Sequence, residues 1–407
     1  SGLLRISQEP FMASAKWIDN LVVRASYGLQ GNIDKNTSPF LLGNYRIENI
    51  LPGGSEDMID VSGAPNKKLR WEKTHSVNAG FDFAVLNQAI NLSVDYYYRK
   101  GVDLIGTQML PLETGFEMLT VNWASMRNQG VEIALSTRNV HTKNFMWTTN
   151  FNFAYNNNKV LKEALREDAL EPGREGYPAG ALFALKTAGL DEEGYPMFQD
   201  KDGKAVSAME FFKLQEWGFG ATDLTARERR ELYTYVGTAD CPYTGGFNNT
   251  FTYKAFELGV NFSFDFGGKV RSQPTYSIVD FDKGRNTNRD ILNRWTPENT
   301  ETIFPVLLSQ NERLDEYMWY SNQNEIYRNL DIWIRDLNYV RLQNIRLGYT
   351  LPTNFTRTLG MTSATVAIEG RNLLVFGSSY KNYLDPETMS NAYATPAPKS
   401  VTLFYRE

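Results

Sequence analysis

Val77-Asn78-Ala79-Gly80-Phe81-Asp82-Phe83-Ala84-Val85 and, just beyond it, Ile90-Asn91-Leu92-Ser93-Val94-Asp95-Tyr96-Tyr97-Tyr98-Arg99 decide the fold. Apolar side chains stand at every second position, with Asn, Gly, Asp and Ser between them. That is the period of a strand with one apolar and one polar face. Only the residues around Asn87-Gln88 separate the two runs, so they read as a hairpin. The same alternation recurs in 145–156 and 256–267. Weaker versions run through 21–30, 130–138, 247–253, 339–350, 363–373 and 400–405, and the phase slips at Gln343-Asn344, which predicts a bulge.

The pattern predicts ten strands, near 19–31, 74–86, 89–103, 127–139, 144–157, 246–253, 255–267, 337–350, 363–376 and 398–407. Their connections alternate in length. Short turns are expected around Asn87, Thr142, Lys254 and Thr353, and long ones at 32–73, 104–126, 157–246, 268–338 and 377–398. A soluble sheet buried on one face gives the same alternation. Strands of about ten residues, trimmed at one end and long-looped at the other, instead fit an all-β transmembrane antiparallel barrel with its long loops 32–73, 157–246 and 268–338 outside the cell. The polar-face residues Asp82, Asp95, Arg99, Glu132, Arg138, Glu257 and Asp265 are then candidates to line the lumen.

Composition narrows the function classes. In 407 residues, 42 Lys and Arg against 47 Asp and Glu give a net charge of −5, which is no footprint for nucleic acid. No apolar run approaches the roughly 18 residues of a membrane helix. The one cysteine, Cys241, allows no internal disulfide and no cysteine metal cluster. His75 and His141 fall in different expected hairpins, and no H-E-x-x-H, G-x-S-x-G or C-x-x-C occurs. Gly267-Gly268-Lys269 lacks the upstream glycine of a phosphate loop. Asp191-Glu192-Glu193-Gly194 and Asp200-Lys201-Asp202-Gly203 resemble calcium-loop starts without the closing Glu, and read better as hairpin turns. No catalytic residue, metal ligand or cofactor is predicted. Residues 162–168 and 221–232 carry charges at helical spacing, as short loop helices would. Trp217, Tyr243, Tyr317, Trp319 and Tyr320 are aromatics expected in the long loops, suited to a partner or ligand.

One stretch resembles a characteristic strand of the SusC/RagA-type TonB-dependent transporters of Bacteroidota: Trp17-Ile18-Asp19-Asn20-Leu21-Val22-Val23-Arg24-Ala25-Ser26-Tyr27-Gly28-Leu29-Gln30-Gly31-Asn32. Further matches follow in family order: Leu69-Arg70-Trp71-Glu72-Lys73-Thr74, Met126-Arg127-Asn128-Gln129-Gly130-Val131-Glu132, 242–254, Asn293-Arg294-Trp295-Thr296, 339–352, Gly370-Arg371-Asn372-Leu373-Leu374 and Leu384-Asp385-Pro386-Glu387. The resemblance implies about ten C-terminal strands of a 22-stranded outer-membrane barrel, its plug not in this segment. It also implies active import of an oligosaccharide or peptide. TonB would energise import through the N-terminal part, a SusD-like surface lipoprotein would form a lid, and transporter–lipoprotein pairs could dimerise. The alternative is a transporter-derived barrel serving as a structural subunit of a larger assembly. A complete ten-stranded barrel enzyme or adhesin fits the family motifs less well. The start, Ser1-Gly2-Leu3-Leu4, reads as internal to a longer chain. The final strand stops at Tyr405-Arg406-Glu407, where family members end on an aromatic, so further residues are expected there.

Overall fold

The computed structural model describes residues 1–388 except 34, 36, 52–53, 62, 117, 166, 168, 273–275, 277, 279–288, 309–313, 323 and 378–384. Its main element is one ten-stranded sheet: β1 (Gly2–Arg5), β2 (Ile18–Asn32), β3 (Glu72–Val85), β4 (Ile90–Met109), β5 (Met118–His141), β6 (Phe145–Lys162), β7 (Tyr243–Tyr253), β8 (Phe256–Arg271), β9 (Ile334–Thr350) and β10 (Thr365–Phe376). Each strand pairs antiparallel with the one before it, an up-and-down meander. Nine of these strands overlap expected ones. The tenth, β1, has no counterpart in the expected set, and the strand expected at 398–407 lies outside the described residues.

Local chemistry sets the short turns. Leu86, Asn87 and Gln88 all take positive φ, at 57°, 56° and 58°, and reverse the chain between β3 and β4. Lys254, at φ 51°, does the same between β7 and β8. Thr142 accepts the amide of Phe145 on its own hydroxyl at 3.1 Å to close the turn between β5 and β6. The bulge expected at Gln343-Asn344 is present, where the β8–β9 register jumps from Asn261↔Asn344 to Phe262↔Leu342.

Two expected boundaries are corrected. Residues 104–126 are mostly not a loop, because β4 runs on to Met109 and β5 begins at Met118. Register shifts between Gly101 and Leu104 break the alternation that a period-2 reading follows, so the strands seem to stop there. The expected helix at 162–168 is also absent, since Lys162 ends β6 and the described residues 163–165 and 167 are not helical. The second expected helix starts later than predicted, at Ala226–Glu231. Thr225 caps it, its hydroxyl taking the Glu228 amide while the Glu228 carboxylate takes the Thr225 amide.

The main buried cluster lies in the long connections, while the sheet buries only scattered residues such as Val22, Val85 and Leu342. Phe198 and Trp333 are 0% and 1% exposed, and with Leu185, Phe211, Phe212, Tyr276, Ile278, Ile326, Tyr327 and Leu330 they form one cluster drawn from both the 163–242 and 272–333 segments. On the sheet, large apolar side chains stay in the open: Tyr27 at 63%, Leu29 at 60% and Ile368 at 78% exposed. They pair across strands, as in Phe247–Phe262 at 4.7 Å, Phe256–Tyr349 at 4.7 Å and Tyr155–Tyr243 at 5.1 Å between ring centroids.

Candidate functional site: the polar face of the sheet

Period-2 alternation carried through ten registered strands gathers every second residue on one face. On that face Arg24 of β2 lies level with Gly80 of β3 and Asp95 of β4. Gly80 has no side chain, so the Arg24 guanidinium crosses an entire strand. Its Nη2 sits 2.6 Å from Asp95 Oδ2 and 3.2 Å from Asp82 Oδ1, and donates to Ser93 Oγ at 3.0 Å. Ser93 in turn donates to Asp82 Oδ1 at 2.7 Å. A Cβ on Gly80 would collide with Asp95 Oδ1 and stand 2.7 Å from the Val94 carbonyl oxygen.

Gly130 performs the same service one strand pair further on. Tyr97 of β4 reaches over it to donate to Asn156 Oδ1 of β6 at 2.8 Å, and a Cβ on Gly130 would meet the Tyr97 hydroxyl at 2.6 Å. Arg99, two residues up, lays its guanidinium 5.4 Å from the Tyr97 ring centroid. Glu132 is the lateral neighbour of Asp95 and projects from the same face. Arg138 sits apart at the short-turn end, donating to the Asn87 carbonyl at 3.1 Å.

A second group forms on β8 and β9. Asp265 accepts the Tyr339 hydroxyl. Glu257 pairs with Arg346 at 2.8 Å. Arg341, 3% exposed, is ion-paired to Asp385 and, at 2.9 Å, to Glu387. Gln343 bridges Ser263 Oγ at 2.7 Å and Glu387 Oε1 at 2.9 Å. The Asp385-Pro386-Glu387 segment is thereby fastened onto the polar face. Sequence reasoning did not select Arg24, Gly80, Gly130, Arg341 or Glu387. Arg24, Gly130, Arg341 and Glu387 stood inside the recognisable family stretches, but their cross-strand partners carry no sequence signal.

Two hollows open on this face. One, of about 440 Å³, is lined by Ser93, Ser136, Asn150, Asn248 and Asn261 among others. The other, of about 400 Å³, is reached by Asp95, Glu132, Asn152, Thr244 and Asp265. So the structure brings Asp82, Asp95, Glu132 and Asp265 together around these hollows, while Arg99, Arg138 and Glu257 lie elsewhere on the face. Among the described residues no Lys or Arg lines either hollow, and Arg24 pairs with Asp82 and Asp95 from beside them, so an excess of carboxylate charge stands among the amides and hydroxyls. Such a surface binds by hydrogen bonds.

The aromatic candidates divide. Trp217 is 74% exposed with φ 59°, and its neighbour Phe219, which sequence reasoning passed over, is 65% exposed with φ 52°. Both sit in strained left-handed backbone, held because their amides donate to the Asp315 carboxylate at 2.8 and 3.0 Å. Tyr243 is not a loop residue. It opens β7 and stacks on Tyr155 on the apolar face. Tyr317 packs half-buried against the loop core instead of standing free, and the side chains of Trp319 and Tyr320 lie outside the described residues. The two acidic loop motifs are hairpin turns. Asp191 Oδ1 accepts the amides of Glu193 and Tyr195, and Asp200 Oδ1 those of Asp202 and Lys204.

A model of the family described as "TonB dependent receptor-like, beta-barrel" matches residues 11–181. The chain is 27% identical over 389 residues to the TonB-dependent receptor P3 of Formosa agariphila, covering 91% of this chain and 36% of that protein. It is 25% identical over 425 residues to the TonB-dependent receptor SusC of Bacteroides thetaiotaomicron, covering 98% and 38%. Among solved structures, the RagAB peptide transporter superposes with a TM-score of 0.74 at 23% identity, over 97% of this chain and 41% of that one. The chain therefore spans about two-fifths of the length of the relatives it matches.

Proposed function

From a chain that is a relative of the SusC/RagA-type TonB-dependent transporters and forms part of an outer-membrane β-barrel, we propose that the whole protein actively imports an oligosaccharide or peptide. In this reading the polar face of β2–β9 lines the lumen, the apolar face meets lipid, and the long connections stand outside the cell. The observation that carries it is the polar face itself. Arg24 is spent on Asp82 and Asp95, Arg346 on Glu257, and Arg341 on Asp385 and Glu387. Each arginine is held by carboxylates of the wall, two apiece for Arg24 and Arg341, which leaves an excess of carboxylate charge beside the hydroxyls and amides that face cargo. That suits a ligand that is polar, not anionic and rich in hydrogen-bonding groups, as neutral glycans and peptide backbones are. The chemistry is binding and release, not bond-making. TonB would couple through a part of the protein outside these residues.

A SusD-like lipoprotein lid would close on the loop surface. Trp217 and Phe219 are suited to that contact, being large, exposed and fixed in place by Asp315. Uptake of labelled oligosaccharide and oligopeptide mixtures by cells with and without the gene tests the import. We expect uptake of one class to vanish with the gene, and to vanish equally when the proton-motive force is collapsed. Uptake that survives collapse would make the barrel a passive pore. Trp217→Ser with Phe219→Ser should cut co-purification of the lid at least about tenfold, as loss of a buried aromatic anchor does, with barrel assembly unchanged.

A further inference from the structure

On the face opposite the hollows the side chains change character in ordered rungs. Going up β4 the series is Val94, Tyr96, Tyr98, Lys100, and up β6 it is Phe153, Tyr155, Asn157, Lys159. Between them β5 brings Arg127 level with both lysines, since Lys100 registers with Arg127 and Arg127 with Lys159. Three cations thus stand side by side on adjacent strands, about 4.8 Å apart from strand to strand. Like charges directly opposite one another repel, so the row calls for an anion. Among the described residues no carboxylate is paired with any of the three, and Arg127 Nε is buried without a hydrogen-bond partner. The neighbouring basic groups, by contrast, are occupied. Lys73 pairs with Asp103 at 3.5 Å, His75 Nδ1 shares a hydrogen bond with the Tyr27 hydroxyl at 2.9 Å, and Lys162 sits 3.4 Å from the Trp123 ring centroid.

The height of the row identifies the anion. From Ile90, the first residue of β4, to Lys100 is about 34 Å along the strand, or about 24 Å of depth at a tilt of about 45°. That is the height of the apolar band of an outer-membrane barrel, roughly 25 Å. Lys100, Arg127 and Lys159 therefore stand at headgroup level, one rung beyond the Tyr98 rung and at the long-loop end. We propose that Lys100, Arg127 and Lys159 form a binding site for the phosphate of an outer-leaflet lipopolysaccharide headgroup. The assignment rests on the long-loop end facing outward, and does not depend on what the protein imports.

The test uses the full-length transporter in neutral detergent, with native mass spectrometry counting retained lipid. The probes are lipid A bearing its phosphates, the same lipid A dephosphorylated, and inorganic phosphate. The phosphorylated form should be retained and the dephosphorylated form not. Combined Lys100→Gln, Arg127→Gln and Lys159→Gln should weaken retention on the order of a hundredfold, and Arg127→Gln alone about fivefold. The charge-conserving Lys100→Arg with Lys159→Arg should keep it, as should Lys143→Gln at the opposite end of the sheet. Equal retention of the two lipids, or no loss in the triple variant, would overturn the site. Displacement of lipid A by millimolar inorganic phosphate would show a free-anion site instead, and overturn the lipid assignment. Cargo uptake measured on the same variants keeps the two readings apart, because the row lies on the face away from the lumen.

Discussion

Gly80 shows how much one missing side chain can organise. It lets Arg24 span a strand and collect Asp82, Ser93 and Asp95 into one network. Gly80→Ala forces a Cβ to 2.7 Å from a backbone oxygen, and should cost about 1–3 kcal/mol as overpacking does. Gly28 and Gly259 sit in the same sheet with nothing within 4 Å of an added Cβ, and their alanine variants should stay within about 0.5 kcal/mol of the parent. The urea midpoint of the heat-modifiable folded band reads the difference, and equal midpoints would remove the steric account. Cys241 gives a second test at this scale. Burial, with the nearby Asp265 charge adding to it, pushes its thiol up to about 11 from 9.0. The thiolate is the reactive form, so modification by a soluble disulfide reagent should rise with pH through about 11. An inflection near 9 would contradict the buried environment.

A single strand is where sequence and structure agree best, and where their disagreements have clear causes. Alternation alone was enough to read β3, β4 and β6, because a half-covered strand must repeat every two residues. It failed at the top of β4 and β5, where bulges near Gly101 and Leu104 reset the phase. The Thr225-x-x-Glu228 capping box was readable in advance and marks the helix start better than charge spacing did. The Arg341–Glu387 pairing was not readable, since it joins residues 46 apart through tertiary placement. Val94 and Asn150 carry the prediction for this scale. Val94 lies on the apolar face in mid-strand, and Asn150 lines the larger hollow. Val94→Arg should destabilise folding by about 2–4 kcal/mol, the price of a charge in mid-bilayer, and Asn150→Arg by much less. Equal loss of folded barrel in outer membranes would mean that both faces are dry.

At the scale of the whole molecule, the apolar budget is inverted relative to a soluble domain. Phe198 and Trp333 vanish into a core made by the long connections, while Tyr27, Leu29 and Ile368 of the sheet remain in the open. A sheet that exposes its aromatic ladders needs a non-aqueous neighbour, and a wall that joins polar side chains across bare glycines suits a wet interior. The loop core also decides how the proposed lid contact can be probed. Removing residues 312–328 would take Ile326 and Tyr327 out of that core, so the Trp217 and Phe219 substitutions are the cleaner route. The central claim is the division of the two faces. Single cysteines at Asp82, Asn150 and Ser263, and at Phe81, Phe151 and Phe262, placed in a Cys241→Ser background and assembled in outer membranes, test it directly. A water-soluble maleimide should label the first three and a lipid-phase probe the second three. The reverse pattern, or labelling of all six by the soluble reagent, would contradict a lipid-facing apolar wall around a polar lumen.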